Sequence, residues 1–479
     1  MEKYDVIIIG GGPAGLVASK ILVAFGKKTA IVERAKLGGD CTHSGCVPSK
    51  TLLKSAKAYY DSQNLDKYGL RPTTFDIDTS NVLSHVRSVV DEIYSHETPE
   101  IFEKAGVHII EGNASFKSQN EIVVNDTVYY SQKFIIASGA RAAIPNIEGL
   151  KDINYLTNEN IFLQKSIPSS MIVLGTGAIG IEMATAFNRL GTKVTLLSRN
   201  SSILKDSDEE LSTILLEQLK IEGISFIDNV TYLKFFESNN EKSLKVSQNG
   251  KTLTINAQEI LVATGRAPNV DMDLENANVN YDEKGVKVDE YLQTSAANIY
   301  AIGDVSTKYK FTHIAEQEAI VAASNIGLPI NKKMSYENIG WCVYGDPELA
   351  QIGLTDKEAL LKYGKEVKTY KFEYKNSDRG YTDVDKVGMI KISVLNSGKI
   401  AGASILGSRA GELIHQLQLA KTFDISFDKL SRMVYLYPTY SDIIKQPAKQ
   451  FYINKLLNNK FLKFLKAAKA FFTRSMYEE

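Results

Sequence analysis

Cysteine is scarce in this chain. Cys41, Cys46 and Cys342 are the only three in 479 residues, too few for a disulfide scaffold, and the first two stand too close together to staple distant parts. Net charge is also missing. The 56 Lys and Arg balance the 56 Asp and Glu, which excludes a nucleic-acid partner held by bulk charge. No apolar run reaches the ~18 residues of a membrane-spanning helix. The opening does not read as a signal peptide either, because its first apolar run, Val6 to Ile9, gives way at once to glycines. A cytoplasmic chain is expected. The composition, 44% hydrophobic and 23% charged, is that of a folded protein, and its length implies two to four domains at ~100–200 residues each.

The first motif is Tyr4-Asp-Val-Ile-Ile-Ile-Gly10-Gly-Gly12-Pro-Ala-Gly15. An apolar strand runs into glycines at the G-x-G-x-x-G spacing, a helix follows over Leu16 to Phe25, and a second strand covers Thr29 to Glu33. Gly10 permits the tight turn, Gly12 lets backbone approach a pyrophosphate, and Gly15 lets helix and strand pack closely. Glu33 is placed to accept from ribose hydroxyls. The pattern returns at Met171-Ile-Val-Leu-Gly175-Thr-Gly177-Ala-Ile-Gly180, with a helix over Ile181 to Leu190 and a strand from Lys193. Here Ser198 takes the place that Glu33 has in the first motif, and Arg199 and Lys205 follow it. With no carboxylate to repel a 2′-phosphate and cations nearby, the second site favours NADPH, with NADH as the other possibility. The plain alternative is that both cations are solvated loop charges.

Two dinucleotide sites in one chain suggest electron transfer between two cofactors. Phe134 to Gly139 and Ile260 to Pro268, which includes Gly265 and Arg266, each read as a short strand ending in a small-residue turn. Asn298 to Ile302 reads as another strand, closed by Gly303-Asp304, where the Asp could accept from a ribityl chain or merely shape a turn.

The stretch Gly38-Gly39-Asp-Cys41-Thr-His-Ser-Gly-Cys46-Val-Pro-Ser-Lys50 carries the richest chemistry. Two cysteines five apart at the start of a helix can meet through one turn, and a thiol near a helix N-terminus has a lowered pKa. In a reducing compartment such a pair reads as catalytic. Metal ligation with His43, or two inert thiols, are the competing readings, and four metal ligands are not visible nearby.

With these motifs in place, the chain resembles the class I pyridine nucleotide–disulfide oxidoreductases, a family that includes glutathione reductase, dihydrolipoyl dehydrogenase and mercuric reductase. The resemblance covers essentially the whole chain. It implies an α/β fold with two Rossmann-like domains, binding FAD and NAD(P)H, and an α+β C-terminal dimerisation domain. By position, Cys41 would be the interchange thiol facing substrate and Cys46 the flavin-facing thiolate. Lys50 would lie by the flavin and pair with Glu182. Gly39, Gly139, Gly265, Arg266, Gly303, Asp304 and His313 would line the cofactors. Hydride would pass from NADPH to FAD, then to the Cys41–Cys46 pair, then to the acceptor.

One segment departs from the glutathione reductase and dihydrolipoyl dehydrogenase pattern. Where those enzymes carry His-Pro-Thr and a later Glu, this chain reads Tyr437-Pro-Thr-Tyr-Ser-Asp442. A tyrosine of pKa ~10 is a poor proton shuttle at neutral pH. Mercuric reductases resemble the chain better, having a Tyr there, but they also carry a C-terminal cysteine pair, and no cysteine follows Cys342. An N-terminal metal-binding domain is not expected either. The acceptor is therefore a small molecule or a metal ion, with dihydrolipoyl dehydrogenase chemistry as the alternative. A homodimer is expected, because Tyr437 would have to reach the other subunit's cysteines. Cys342 reads as a small apolar filler. From Ile443 to Tyr477 the chain has seven lysines, Arg474 and no acid, and Lys460 to Arg474 sort onto one half of a helical wheel opposite phenylalanines. That tail either caps its own dimer or lies on an anionic membrane, the latter raising a second possibility, a membrane-associated flavin redox sensor. The expected domains are a flavin domain at 1–148 and 269–334, an NAD(P)H domain at 149–268, an interface domain at 335–450 and a basic tail at 451–479.

Overall fold

The apolar run that opens the chain becomes the strand Glu2–Ile9, with Val6 to Ile9 buried, as a central parallel strand requires. The computed structural model describes residues 2–72, 77–238, 241–307 and 309–458. The chain divides into two units. One comprises Met1–Leu65, Arg71–Ile203 and Leu219–Tyr336, the other Asp66–Leu70, Leu204–Gln218 and Glu337–Glu479.

In the first unit, Glu2–Ile9 lies between Thr29–Glu33 and Thr127–Ile136, parallel to both, and Val107–Glu111 extends the sheet beyond Thr29–Glu33. Antiparallel strands Glu121–Val124 and Ala114–Ser118 widen the other side. The late segment Ile299–Ala301 adds in parallel to Thr127–Ile136, so distant sequence completes this sheet. The helix Pro13–Ala24 starts with proline in its first turn, where a missing N–H costs nothing. A second parallel sheet runs in the order Ser225–Ile227, Lys193–Leu197, Ser170–Leu174, Glu259–Val262, with the helix Ala178–Arg189 following Ser170–Leu174. The antiparallel strands Val230–Ser238, Glu241–Gln248 and Lys251–Ala257 share its core, where Phe235, Leu244 and Val246 meet Ile172, Leu174 and Leu197. Two strand–loop–helix–strand units give the α/β class expected from the glycine motifs.

The second unit is built on a five-stranded antiparallel sheet, ordered Gly340–Val343, Glu348–Gly353, Ile400–Gly407, Met389–Leu395, Val367–Glu373. The helices Ala410–Thr422 and Asp442–Asn458 bury Leu413, Leu417, Ile443 and Phe451 in its core. A lysine is buried here as well. Lys391, its side chain 3% exposed, meets Asp208 Oδ2 at 2.7 Å, Asp356 Oδ2 at 2.7 Å and Glu210 Oε2 at 3.0 Å. Burial alone would lower its pKa, but the three carboxylates together raise it. Burial in turn raises the pKa of Asp208, against the pull of Lys391.

The boundary expected at 451 falls inside the helix Asp442–Asn458, and Phe451 packs edge-on to Tyr370 and beside Phe427. The amphipathic segment Lys460 to Arg474 lies outside the described residues. Among the described residues, no helix is long and apolar enough to cross a membrane.

Candidate active site around Cys41 and Cys46

The two glycine loops have the same geometry. Gly10 and Gly175 turn the chain at φ 111° and 108°, and Gly12 and Gly177 cap the helices Pro13–Ala24 and Ala178–Arg189. A Cβ on Gly15 would lie 2.0 Å from the Gly10 oxygen, and one on Gly180 would lie 2.1 Å from the Gly175 oxygen. Only glycine lets each helix start so close to its strand, leaving its unpaired N–H groups open to an anion. A third close approach brings Gly39 to the first loop, where its Cβ would lie 2.9 Å from Gly12 Cα. Glu33 folds back on its loop, Oε2 accepting from the Gly11 amide at 2.7 Å and Oε1 from the Ala35 amide at 2.9 Å. In the second motif Ser198 is buried, with its hydroxyl 3.5 Å from that of Thr176. Arg199 follows it exposed. Lys205 is exposed and belongs to the second unit, whereas Ser198 and Arg199 belong to the first.

The cysteines occupy two helices rather than the start of one. Cys41 is in the short helix Gly39–His43, and Cys46 opens Cys46–Gln63. Gly45 makes the break, since a Cβ there would press on the Asp40 oxygen at 2.8 Å. Both are free, half-buried thiols. Thr312, the first residue of the helix Thr312–Gly327, puts its hydroxyl 3.2 Å from Cys41 Sγ and 3.4 Å from Cys46 Sγ. The two sulfurs divide their acidity. The Cys46 thiol is brought down to about 6, first by a hydrogen bond from Cys41, then by the Thr312 hydroxyl and the Lys50 charge, against burial. Cys41 is pushed up, first by donating that bond and then by burial and the Cys46 charge. One proton is thus held on Cys41, and Cys46 is the thiolate.

Lys50 Nζ donates to Glu182 Oε2 at 2.8 Å, joining the redox helix to the helix of the second glycine loop. Glu182 is 4% exposed, so a cation beside it offsets a buried charge. Gly139 follows Thr127–Ile136, and Gly265 precedes Arg266–Pro268, which pairs with Ala140–Ala142. Arg266 sits between two carboxylates, bonding Asp40 and the Ala140 carbonyl through Nη2, with Nε 3.4 Å from Asp304 Oδ2. That Nε is buried without a hydrogen-bond partner. Burial raises the pKa of Asp304, which Arg266 and Lys310 partly counter. The Gly303 amide donates to Glu318 Oε2 at 2.6 Å, and the Tyr336 hydroxyl donates to Glu318 Oε1 at 2.6 Å. Glu318 is fully buried, and burial pushes its pKa up to about 7. His313 is exposed, its ring stacked on Phe311 with centroids 5.7 Å apart.

In the second unit Tyr437 is 74% exposed. Its hydroxyl donates to Asp378 Oδ2 at 3.0 Å, and not to Asp442, the carboxylate expected to orient it. Asp442 instead heads its own helix, accepting from Gln446 at 3.2 Å. The Asp378 bond and charge raise the Tyr437 pKa further.

These residues fit the expected cofactors. Two loops admit only glycine at the contact points, and a buried arginine nitrogen and a half-buried aspartate stand beside the first. Sequence reasoning missed Thr312, Asp40, Glu318 and Asp378. Thr312 adjoins His313, so the same segment of sequence carries its signal. Asp378 lies far from Tyr437 in sequence, with no motif around it.

Two family models match the chain: pyridine nucleotide-disulphide oxidoreductase over residues 4–319, and the dimerisation domain of that family over residues 339–448. Among similar proteins, a mercuric reductase of Staphylococcus aureus is 34% identical over 94% of this chain and 82% of its own length. One of Bacillus cereus is 32% identical over 92% and 70%. A dihydrolipoyl dehydrogenase of Bacillus subtilis (strain 168) is 30% identical over 93% and 97%. In fold, the Cu(II) complex of the HOCl-induced flavoprotein disulfide reductase RclA from Escherichia coli superposes with a TM-score of 0.85. It is 24% identical and covers 94% of this chain and 100% of its own.

Proposed function

Since the chain belongs to the pyridine nucleotide–disulphide oxidoreductases, FAD- and NAD(P)H-using enzymes that work through a redox disulfide, we propose that its electrons pass from NADPH through Cys41 and Cys46 to a thiophilic metal ion, Hg(II) first among them. The observation that carries this reading is Tyr437. A dithiol substrate needs a group that takes and returns protons near neutral pH, and the Tyr437 hydroxyl, raised by Asp378, is held further from that range than a free tyrosine. A metal ion asks for thiolates and no proton shuttle. Relatives named mercuric reductase, matching over more than nine-tenths of this chain, support the same choice.

The flavin and nicotinamide, when bound, supply two electrons as a relayed hydride. The chain's own residues do the rest. The glycine loops and the helix starts behind them hold the pyrophosphates. Arg266 and Asp304 hold the flavin side chain, and Glu33 a ribose edge. Ser198 and Arg199 favour a 2′-phosphate. Lys50, braced by Glu182, keeps positive charge beside Cys46 so that its thiolate persists. Cys41 meets the acceptor, displacing a thiol carrier from the metal ion as it gives up its own proton. With two electrons, Hg(II) becomes Hg(0), which thiolates no longer hold.

The same reading assigns the flavin domain to 1–148 and 269–334, the NAD(P)H domain to 149–268 and the interface domain to 335–450. It makes the active species a homodimer in which Tyr437 serves the other subunit's dithiol. The test is NADPH oxidation by the full chain, with Hg(II) in excess thiol and, separately, with lipoamide. Turnover with Hg(II) that is lost in Cys41→Ala is expected. Turnover with lipoamide and none with Hg(II) would overturn the metal reading and show that Tyr437 is no obstacle to dithiol chemistry.

A further inference from the structure

The helix that carries Cys41 is gripped from outside by a segment that no motif marked. The end of the helix Thr79–Tyr94 and the loop after it reach Gly38 to His43 at three points. The Tyr94 ring meets the His43 ring edge-on, with centroids 5.1 Å apart. The Thr42 hydroxyl donates to Glu97 Oε2 at 2.7 Å. The same Glu97 oxygen lies so close to Gly38 that a Cβ there would come within 2.4 Å of it. Thr42 is 3% exposed, so its hydroxyl has no water to replace this bond, whereas Glu97 is half-buried. The cation near Cys46, Lys50, is already paired with Glu182.

We propose that Glu97 is a positioning and specificity residue. Its carboxylate fixes the helix Gly39–His43 and sets a negative charge beside the acceptor-facing thiol, so that anionic acceptors are disfavoured. The inference rests on the reading of Cys41 as that thiol. It does not depend on the acceptor being a metal ion. The charge is felt at the sulfur, since Glu97 adds to the effects of Cys46 and burial that raise the Cys41 thiol.

Two synthetic disulfides separate charge from packing. The Cys41 sulfur, its thiol releasing the proton to water, attacks one sulfur of an aromatic disulfide, forming a mixed disulfide and expelling one aromatic thiolate. The Cys46 thiolate then attacks Cys41 Sγ and expels the second, so the dithiol becomes a disulfide and its two electrons leave on the two thiolates. The acceptors are 5,5′-dithiobis(2-nitrobenzoate), which carries two carboxylates, and the neutral 4,4′-dipyridyl disulfide. The flavin-loaded, full-length enzyme is assayed with NADPH as reductant. Glu97→Gln keeps an oxygen for Thr42 and removes the charge. The ratio of kcat/KM for the dianion over that for the neutral acceptor is expected to rise about two- to fivefold at low ionic strength, and the difference from wild type to close in high salt. Glu97→Lys should raise the ratio further. Thr42→Val, which breaks the anchor and keeps the charge, should lower kcat/KM for both acceptors while leaving their ratio as in wild type. Equal ratios in wild type and Glu97→Gln, or a parallel fall with both acceptors in Glu97→Gln, would overturn the assignment. The mixed disulfide that stoichiometric 4,4′-dipyridyl disulfide leaves on reduced Cys46→Ser and Cys41→Ser enzymes, read by mass spectrometry, keeps the two failures apart. An adduct on Cys41 in Cys46→Ser with an unmoved ratio sinks Glu97 alone, while an adduct on Cys46 in Cys41→Ser and none on Cys41 sinks the reading of Cys41 and the proposal with it.

Discussion

Thr312 gives one hydroxyl to two sulfurs, and the consequence is measurable at a single side chain. The Cys46 thiol, at about 6, is held down first by the Cys41 hydrogen bond and then by Thr312. Thr312→Val removes the second of these donors. The Cys46 midpoint should move up by about one unit, read from the ultraviolet thiolate absorbance of the reduced enzyme across pH; an unmoved midpoint would deny Thr312 its part. Glu318 titrates in the opposite sense. Burial pushes its pKa up from 4.5 to about 7, so the native chain keeps a proton that the unfolded chain has lost. Its contribution to stability is complete below about pH 4.5 and is lost as pH rises through 7. Glu318→Gln, neutral throughout, should lack that slope. Melting curves of both proteins from acid to neutral pH should show wild type losing ground to the variant over this window, and parallel curves would count against it. Much at this scale was legible. The family resemblance implies the pair of Lys50 and Glu182, far apart in sequence, and the folded chain joins them at 2.8 Å. Asp378 and Glu97 sat near no motif, and only the folded chain brings them to Tyr437 and Thr42.

Among the elements, the strand–loop–helix units could be read from sequence because a Cβ-free contact and a buried apolar strand leave one solution. The short helix Gly39–His43 could not, since its separation from Cys46–Gln63 depends on Gly45 pressing against Asp40, a contact no periodicity encodes. The helix Glu209–Ile221 poses another problem that pattern alone does not reveal. The chain entering it carries buried Asp208, and that carboxylate is held by Lys391 on the strand Met389–Leu395. Lys391→Met would leave Asp208 buried without its cation. A loss of roughly 3–5 kcal/mol is expected, measured as the denaturant midpoint of the second unit's unfolding. A loss under about 1 kcal/mol, the usual worth of an exposed pair, would show that water reaches the cluster.

For the whole molecule, the sequence led to a succession of domains with one insertion, and the expected 451 boundary reflects that linear view. Spatially the second unit is interrupted twice, drawing on Asp66–Leu70 and Leu204–Gln218 as well as the chain from Glu337 onward. Phe451 packs into its core against Tyr370 and Phe427. During synthesis, Leu204–Gln218 therefore leaves the ribosome well before its partners exist. At ~5–20 residues per second, the wait until Phe451 emerges is on the order of ten to fifty seconds. Until Lys391 emerges, Asp208 and its acidic neighbours Glu209 and Glu210 stand in water without it, a charged stretch that resists sticking to other nascent chains.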